Sequence, residues 1–112
     1  MEATLKIFGP TTAEIDVSYV EPTTTQNGTP LDDLSHTVLS VKHEGVEIFQ
    51  ATIPAINPEG GTHIAETVEV DLLPGERKVL DVSVVAIDGM GNASTPTMAQ
   101  LGLDREAPGP VQ

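Results

Sequence analysis

The chain reads as an all-β protein, a single antiparallel β-sandwich of about seven strands, and three observations lead there. Apolar and polar residues alternate with period two from end to end, while helical spacing is hard to find. Ten glycines and nine prolines are spread along the 112 residues, marking many turns between short elements. Only Phe8, Tyr19 and Phe49 are aromatic, so the core must be built from Val, Ile and Leu, and β-branching favours strands.

Each strand shows its own alternation. Leu5 and Ile7 mark the first, in TLKIF, which runs into a turn at Gly9-Pro10. Ile15, Val17 and Tyr19 alternate with Glu14, Asp16 and Ser18 in the second. EPTTTQNGTPLDDLSH (21–36) is rich in turn-forming residues and reads as loop, after which Thr37, Leu39 and Val41 resume the pattern. His43-Glu44-Gly45 turns the chain into VEIFQATI (46–53), and PAINPEGG (54–61) is a second loop. Ile64, Val68, Val70 and Leu72 mark the fifth strand, with Glu66 breaking its apolar series. After Pro74-Gly75 comes the strongest run: Leu80, Val82, Val84 and Ala86 on one face, with Val85 and Ile87 apolar on the other. Thr97, Ala99, Leu101 and Leu103 form the last strand. The sandwich is expected over 1–104 and a Pro-rich tail or linker over 105–112.

Composition excludes several function classes. Seventeen acidic residues against five basic ones give a net charge of −12, which repels nucleic acid and anionic membranes. No apolar run is long enough to span a bilayer as a helix, and MEATLKIFGP lacks the basic and apolar regions of a signal peptide. Without cysteine there is neither a disulfide framework nor a thiolate metal site.

Three stretches carry a resemblance to a known family. Ile15-x-Val17-x-Tyr19-x-x-Pro22 resembles the second strand of bacterial fibronectin type III domains, where Trp usually stands at the Tyr19 position. NGTPLDDL (27–34) resembles that family's DGTPLTDL connection, and LLPGERKVLDVSVVAIDGMGNAST (72–95) resembles its passage from the fifth strand to the last. LDREAPGPV is similar to the linkers that join such domains. The resemblance implies an Ig-like sandwich and specifies turns and core rather than an activity. Thr37 and Leu80 stand where the family often has tyrosines, and the interval after Gly75 is two residues longer than usual.

Candidate chemistry is sparse. Asp88-Gly89-Met90-Gly91-Asn92 contains G-x-G, but Ser94 replaces the third glycine of a dinucleotide fingerprint and strand residues follow. Asp88 and Asn92 offer too few oxygens for calcium, so the stretch is expected to be a hairpin. Asn27-Gly28-Thr29 and Asn92-Ala93-Ser94 fit the N-glycosylation pattern, which arises often by chance. His36, His43 and His63 lack metal-ligand spacing, and Ser18, Ser35, Ser40, Ser83 and Ser94 lack a nucleophile elbow. No catalytic residue, metal or cofactor is expected. The candidate partner contacts are Met90, at the tip of the hairpin, and the apolar pair Val85 and Ile87.

The functional expectation is a non-catalytic structural module, foremost a bacteriophage virion accessory protein. It would decorate or connect head, neck or tail by docking on other structural proteins, in a symmetric multi-copy assembly. The alternative is an extracellular spacer or weak carbohydrate-binding domain of a secreted bacterial enzyme or adhesin. Both readings are analogies at the level of fold.

Overall fold

A computed structural model describes residues 1–111; Gln112, the last residue of the expected tail, lies outside the described residues. Seven strands follow one another: β1 (Glu2–Phe8), β2 (Thr12–Val20), β3 (Leu34–His43), β4 (Val46–Pro54), β5 (His63–Asp71), β6 (Arg77–Asp88) and β7 (Thr97–Asp104). All pairings are antiparallel. They form a three-stranded sheet in the order β1-β2-β5 and a four-stranded sheet in the order β4-β3-β6-β7. Ala13, Ile15, Val17, Val68 and Val70 from the first sheet meet Leu39, Val41, Leu80, Val82 and Val84 from the second in one buried cluster. The molecule is an all-β sandwich.

Period two decides which side chains enter that cluster, because alternate residues of a strand point to opposite faces. In β2, buried Ala13, Ile15, Val17 and Tyr19 alternate with half-buried Thr12, Glu14, Asp16 and Ser18. The same alternation buries Leu80, Val82 and Val84 in β6. The sharpest departure from the sequence reading is in β1. A register shift between Leu5 and Ile7 changes the parity of the strand, so Ile7 pairs with Glu14 and is 58% exposed. An extra residue in one strand turns everything beyond it to the other face. Boundaries move as well: β3 already begins at Leu34, and β5 ends at Asp71 with Leu72 fully buried just past it.

The loops are fixed by backbone chemistry. Glu44 (φ 52°) and Gly45 (φ 79°) both take positive φ between β3 and β4, as the tightest hairpin turns require. Gly60 (φ 70°) brings the β4–β5 loop against the segment after β2, where an added Cβ would collide with the carbonyl oxygen of Pro22. Beside it Glu21 is buried, accepting the Thr62 N–H on Oε1 at 3.2 Å, while its backbone N–H donates to the Thr62 carbonyl at 3.0 Å. At the opposite pole Arg105, the first residue of the expected tail, is pinned to the body. Its Nη1 donates to the carbonyls of Gly9 (2.7 Å) and Leu72 (3.0 Å), and its guanidinium lies 5.2 Å from the centre of the Phe8 ring.

One polar contact crosses the apolar interior. The Tyr19 hydroxyl on β2 lies 2.7 Å from Thr37 Oγ1 on β3, and both residues are buried. Burial pushes the Tyr19 phenol above its ordinary value; the Thr37 bond opposes this, and the charges of Glu66 and Glu21 add to the rise.

Two predictions follow from this packing. Tyr19→Phe and Thr37→Val should each cost about 1–2 kcal/mol in urea unfolding, because each strands a buried hydroxyl or loses its bond. The double variant should lose clearly less than the sum, since it removes both partners of one bond. Because burial raises the Tyr19 value, stability is undiminished below pH 10.0, the free tyrosine value, and is lost as pH rises through the higher folded value and a buried phenolate must form. Gly60→Ala should cost about 2–4 kcal/mol by the same measurement, from positive φ and the backbone collision together.

Candidate interaction surfaces

The stretch VAIDGMGNAST closes the hairpin between β6 and β7, and its carboxylate organises it. Asp88 Oδ1 accepts the backbone N–H groups of Met90 and Asn92, each at 2.9 Å, while Oδ2 accepts Asn92 Nδ2 at 3.0 Å. The Asp88 N–H donates to the Asn92 carbonyl at 3.0 Å, and the Gly91 N–H donates to the Asp88 carbonyl at 3.1 Å. Gly91 supplies the positive φ of 85°. The Asn92 side-chain bond first, and then the backbone N–H bonds, hold the Asp88 carboxyl below its ordinary value. Both oxygens are therefore used to fold the loop on itself.

The three contact residues singled out from sequence fall in two places. Met90 stands at the loop tip, 84% exposed. Val85 and Ile87 are half-buried on the outer face of the four-stranded sheet, opposite Val38 and His36 of β3. That face extends further than the sequence reading. Val38, Ser40, Ser83 and Val85 continue sideways through Thr52 of β4 and Met98 of β7, which is 67% exposed. Apart from His36, this upper half of the face carries no ionisable side chain, and the Lys42–Asp81 pair bounds it below. The outer alternation of β3 signals Val38 in the sequence, but its neighbours from β4 and β7 depend on register.

The opposite outer face is its electrostatic inverse. Glu14 lies directly across from Glu69, and Glu2, Asp16 and Asp71 continue the same surface of the three-stranded sheet. Among the described residues none of these carboxylates is in an ion pair; the pairs are His43–Glu44, Arg77–Asp104 and Lys78–Glu76. Like charges directly opposed on a sheet are unfavourable, so this face opposes contact with any acidic body.

Sequence reading missed a half-open cleft of about 560 Å³ at the pole of the β6–β7 hairpin. Leu31, Leu34 and Ile87 contribute apolar surface to it, and Gln26, Asn27, Asn92 and Thr95 contribute polar groups. It is assembled from loops 60 residues apart in sequence, which no local pattern announces. Both N-x-S/T asparagines border this one cleft, and Asn92 is already bonded to Asp88.

The remaining candidates are dispersed. His36 Nδ1 contacts its neighbour Ser35 Oγ at 2.9 Å, His43 lies 4.0 Å from Glu44, and His63 is exposed on β5. Among the described residues no group of three or more His, Asp or Glu side chains is placed to hold a metal ion. Ser94 Oγ accepts the Ala86 N–H at 2.9 Å and donates to the Thr95 carbonyl at 3.0 Å, so it braces the hairpin. In comparisons with known proteins the chain matches no family model, no curated protein and no solved structure.

The hairpin geometry predicts a pH signature. The amide resonances of Met90 and Asn92 should titrate together below pH 3.8, the free aspartate value, because the bonds favour the ionised carboxylate. The support they give the loop is present above pH 3.8 and is lost as pH falls through the lower folded value. Asp88→Ala should accelerate hydrogen exchange at Met90 and Asn92 while leaving the core amides of β3 and β6 protected.

Proposed function

We propose that this protein is a non-catalytic structural and interaction module, and that it serves as an accessory protein of a bacteriophage virion. It docks on other structural proteins of head, neck or tail. The observation that carries this reading is the partition of charge between the two outer faces. In a chain of net charge −12, an uncharged area around Val38, Val85, Ile87 and Met98 is where a partner's surface meets least desolvation cost and least repulsion. Exposed Met90 extends the available apolar surface at the same pole. The three-plus-four strand order, with the fourth strand beside the third, supports assignment of the sandwich to the fibronectin type III or Ig-like kind. Use of such domains as virion parts is an analogy of fold.

A second reading, an extracellular spacer within a larger secreted protein, is favoured by a different observation. β1 starts at the pole where β2 ends, opposite Ser18, whereas β7 ends beside Arg77 at the other pole. A chain that enters at one pole and leaves at the other, along a longest extent of 60 Å, spaces its neighbours apart. Weak sugar binding is less well supported, because none of the cleft residues is aromatic.

The test is capture of purified virion heads, necks and tails by the immobilised protein, repeated with Val85→Asp plus Ile87→Asp. Binding of the native chain should fall at least about tenfold in the double variant, as expected when carboxylates are forced into an apolar contact. Equal binding by a folded double variant removes that face from the proposal, and no binding by the native chain removes the virion reading.

A further inference from the structure

We infer that β7 is a self-association edge, through which two copies of this chain pair antiparallel across a twofold axis to form one continuous eight-stranded sheet. The starting point is how the four sheet edges are protected. Exposed edges carry unpaired N–H and C=O groups, and soluble proteins usually guard them with charges, prolines or bulges. Three edges here are guarded. β1 has Glu2, Lys6 and a register shift; β4 has Glu47, Pro54 and a register shift; β5 has Glu66, Glu69 and Asp71. β7 is not. Thr97-Met98-Ala99-Gln100-Leu101-Gly102-Leu103 contains no ionisable side chain and no proline, and its register with β6 is unbroken from Val84↔Thr97 to Arg77↔Asp104. Among the described residues, no backbone group of Thr97–Asp104 bonds to anything outside β6.

The sequence of the edge fits itself better than it fits an arbitrary strand. In an antiparallel pair centred on Gln100, each Gln100 faces the other, and Met98 of one copy lies opposite Gly102 of the other. Met98 is 67% exposed and on the outer face; Gly102 occupies the same face and offers no side chain, so it leaves room for the thioether. The twofold repeats the match at the other end. On the inner face Ala99 meets Leu101 and Thr97 meets Leu103, small against large in both pairs. Self-pairing therefore joins two bodies of charge −12 along a stretch, Thr97–Leu103, that carries no charge, with Asp104 at its end beside Arg77. β1 lies beside β7 at this boundary and adds Leu5, which is 40% exposed. A single strand edge is a small contact, so association is weak and strengthens when salt screens the net charge.

The experiment is sedimentation of the full chain from about 5 to about 500 µM, at low and at about 0.5 M salt, a range that covers weak dimers. A monomer–dimer equilibrium that tightens with salt is expected. Gln100 Nε2 donates to Asp81 Oδ1 at 3.1 Å, so Gln100→Lys, whose folding is checked by circular dichroism, sets two ammonium groups face to face with one carboxylate beside each and should weaken dimerisation several-fold. Mixing it with Gln100→Glu should restore a heterodimer. Gln100→Cys supplies a single thiol in a chain without cysteine, and mild oxidation should link the two copies, since directly opposed strand residues lie about 4.5–5.5 Å apart. A chain that stays monomeric throughout overturns the inference. So does a dimer that tolerates Gln100→Lys but is lost on Val85→Asp plus Ile87→Asp, which moves the contact to the sheet face. Failure of the Lys and Glu variants to pair overturns the proposed register. The docking reading above uses a different surface and stands or falls separately.

Discussion

The fold depends on closing the gap between two sheets almost entirely with short aliphatic side chains. Sheets pack about 10 Å apart, and aromatic residues usually fill much of such a gap. Here Ile15, Val17 and Val68 on one side interlock with Leu39, Val41, Leu80 and Val82 on the other, and all seven are essentially inaccessible to solvent. Branched side chains of this size lose little rotamer freedom in strands and fill the space in layers. Registers, edges and both outer faces follow, because a residue that enters this layer fixes the outward orientation of its neighbours. β1 shows the rule by exception, since one extra residue sends Ile7 to solvent.

The poles are sealed by a different chemistry, as strand ends leave backbone groups with no sheet partner. Glu21 meets this need at one pole by bonding both the N–H and the carbonyl of Thr62, and Gly60 lets the backbone come close enough. Arg105 does the same at the other, gathering the carbonyls of Gly9 and Leu72 from two separate turns. Between the poles, Tyr19 of β2 and Thr37 of β3 bring hydroxyls into the buried interior. They form a pair, with the Tyr19 hydroxyl reaching the smaller threonine across the sheets. Two polar residues that look independent in sequence are one contact in space.

Charge completes the functional argument. Carboxylates gather on the outside of the three-stranded sheet, while the upper outer face of the four-stranded sheet and the β7 edge carry almost none. A protein with this net charge is kept apart from other acidic bodies over most of its surface. The proposed docking face and the proposed pairing edge are the parts of the surface where that repulsion is least. The Asp88 carboxylate is engaged within its own loop, where it accepts bonds from Met90 and Asn92.

The sequence by itself determined the fold class, five of the seven inward-facing strand patterns, and the hairpin at Asp88. These are local properties: period two, turn residues and β-branching act within a few positions. It also identified Val85 and Ile87 as apolar on the wrong face for a core. Only the tertiary structure decided the rest. The shift in β1 depends on pairing with β2, the burial of Glu21 on a loop some forty residues away, and the cleft on two loops meeting at one pole. The breadth of the uncharged face likewise required Thr52, Val38 and Met98 to come into register with Val85 and Ser83. Long-range pairing sets these features, and no short window of sequence encodes which distant strand will lie alongside.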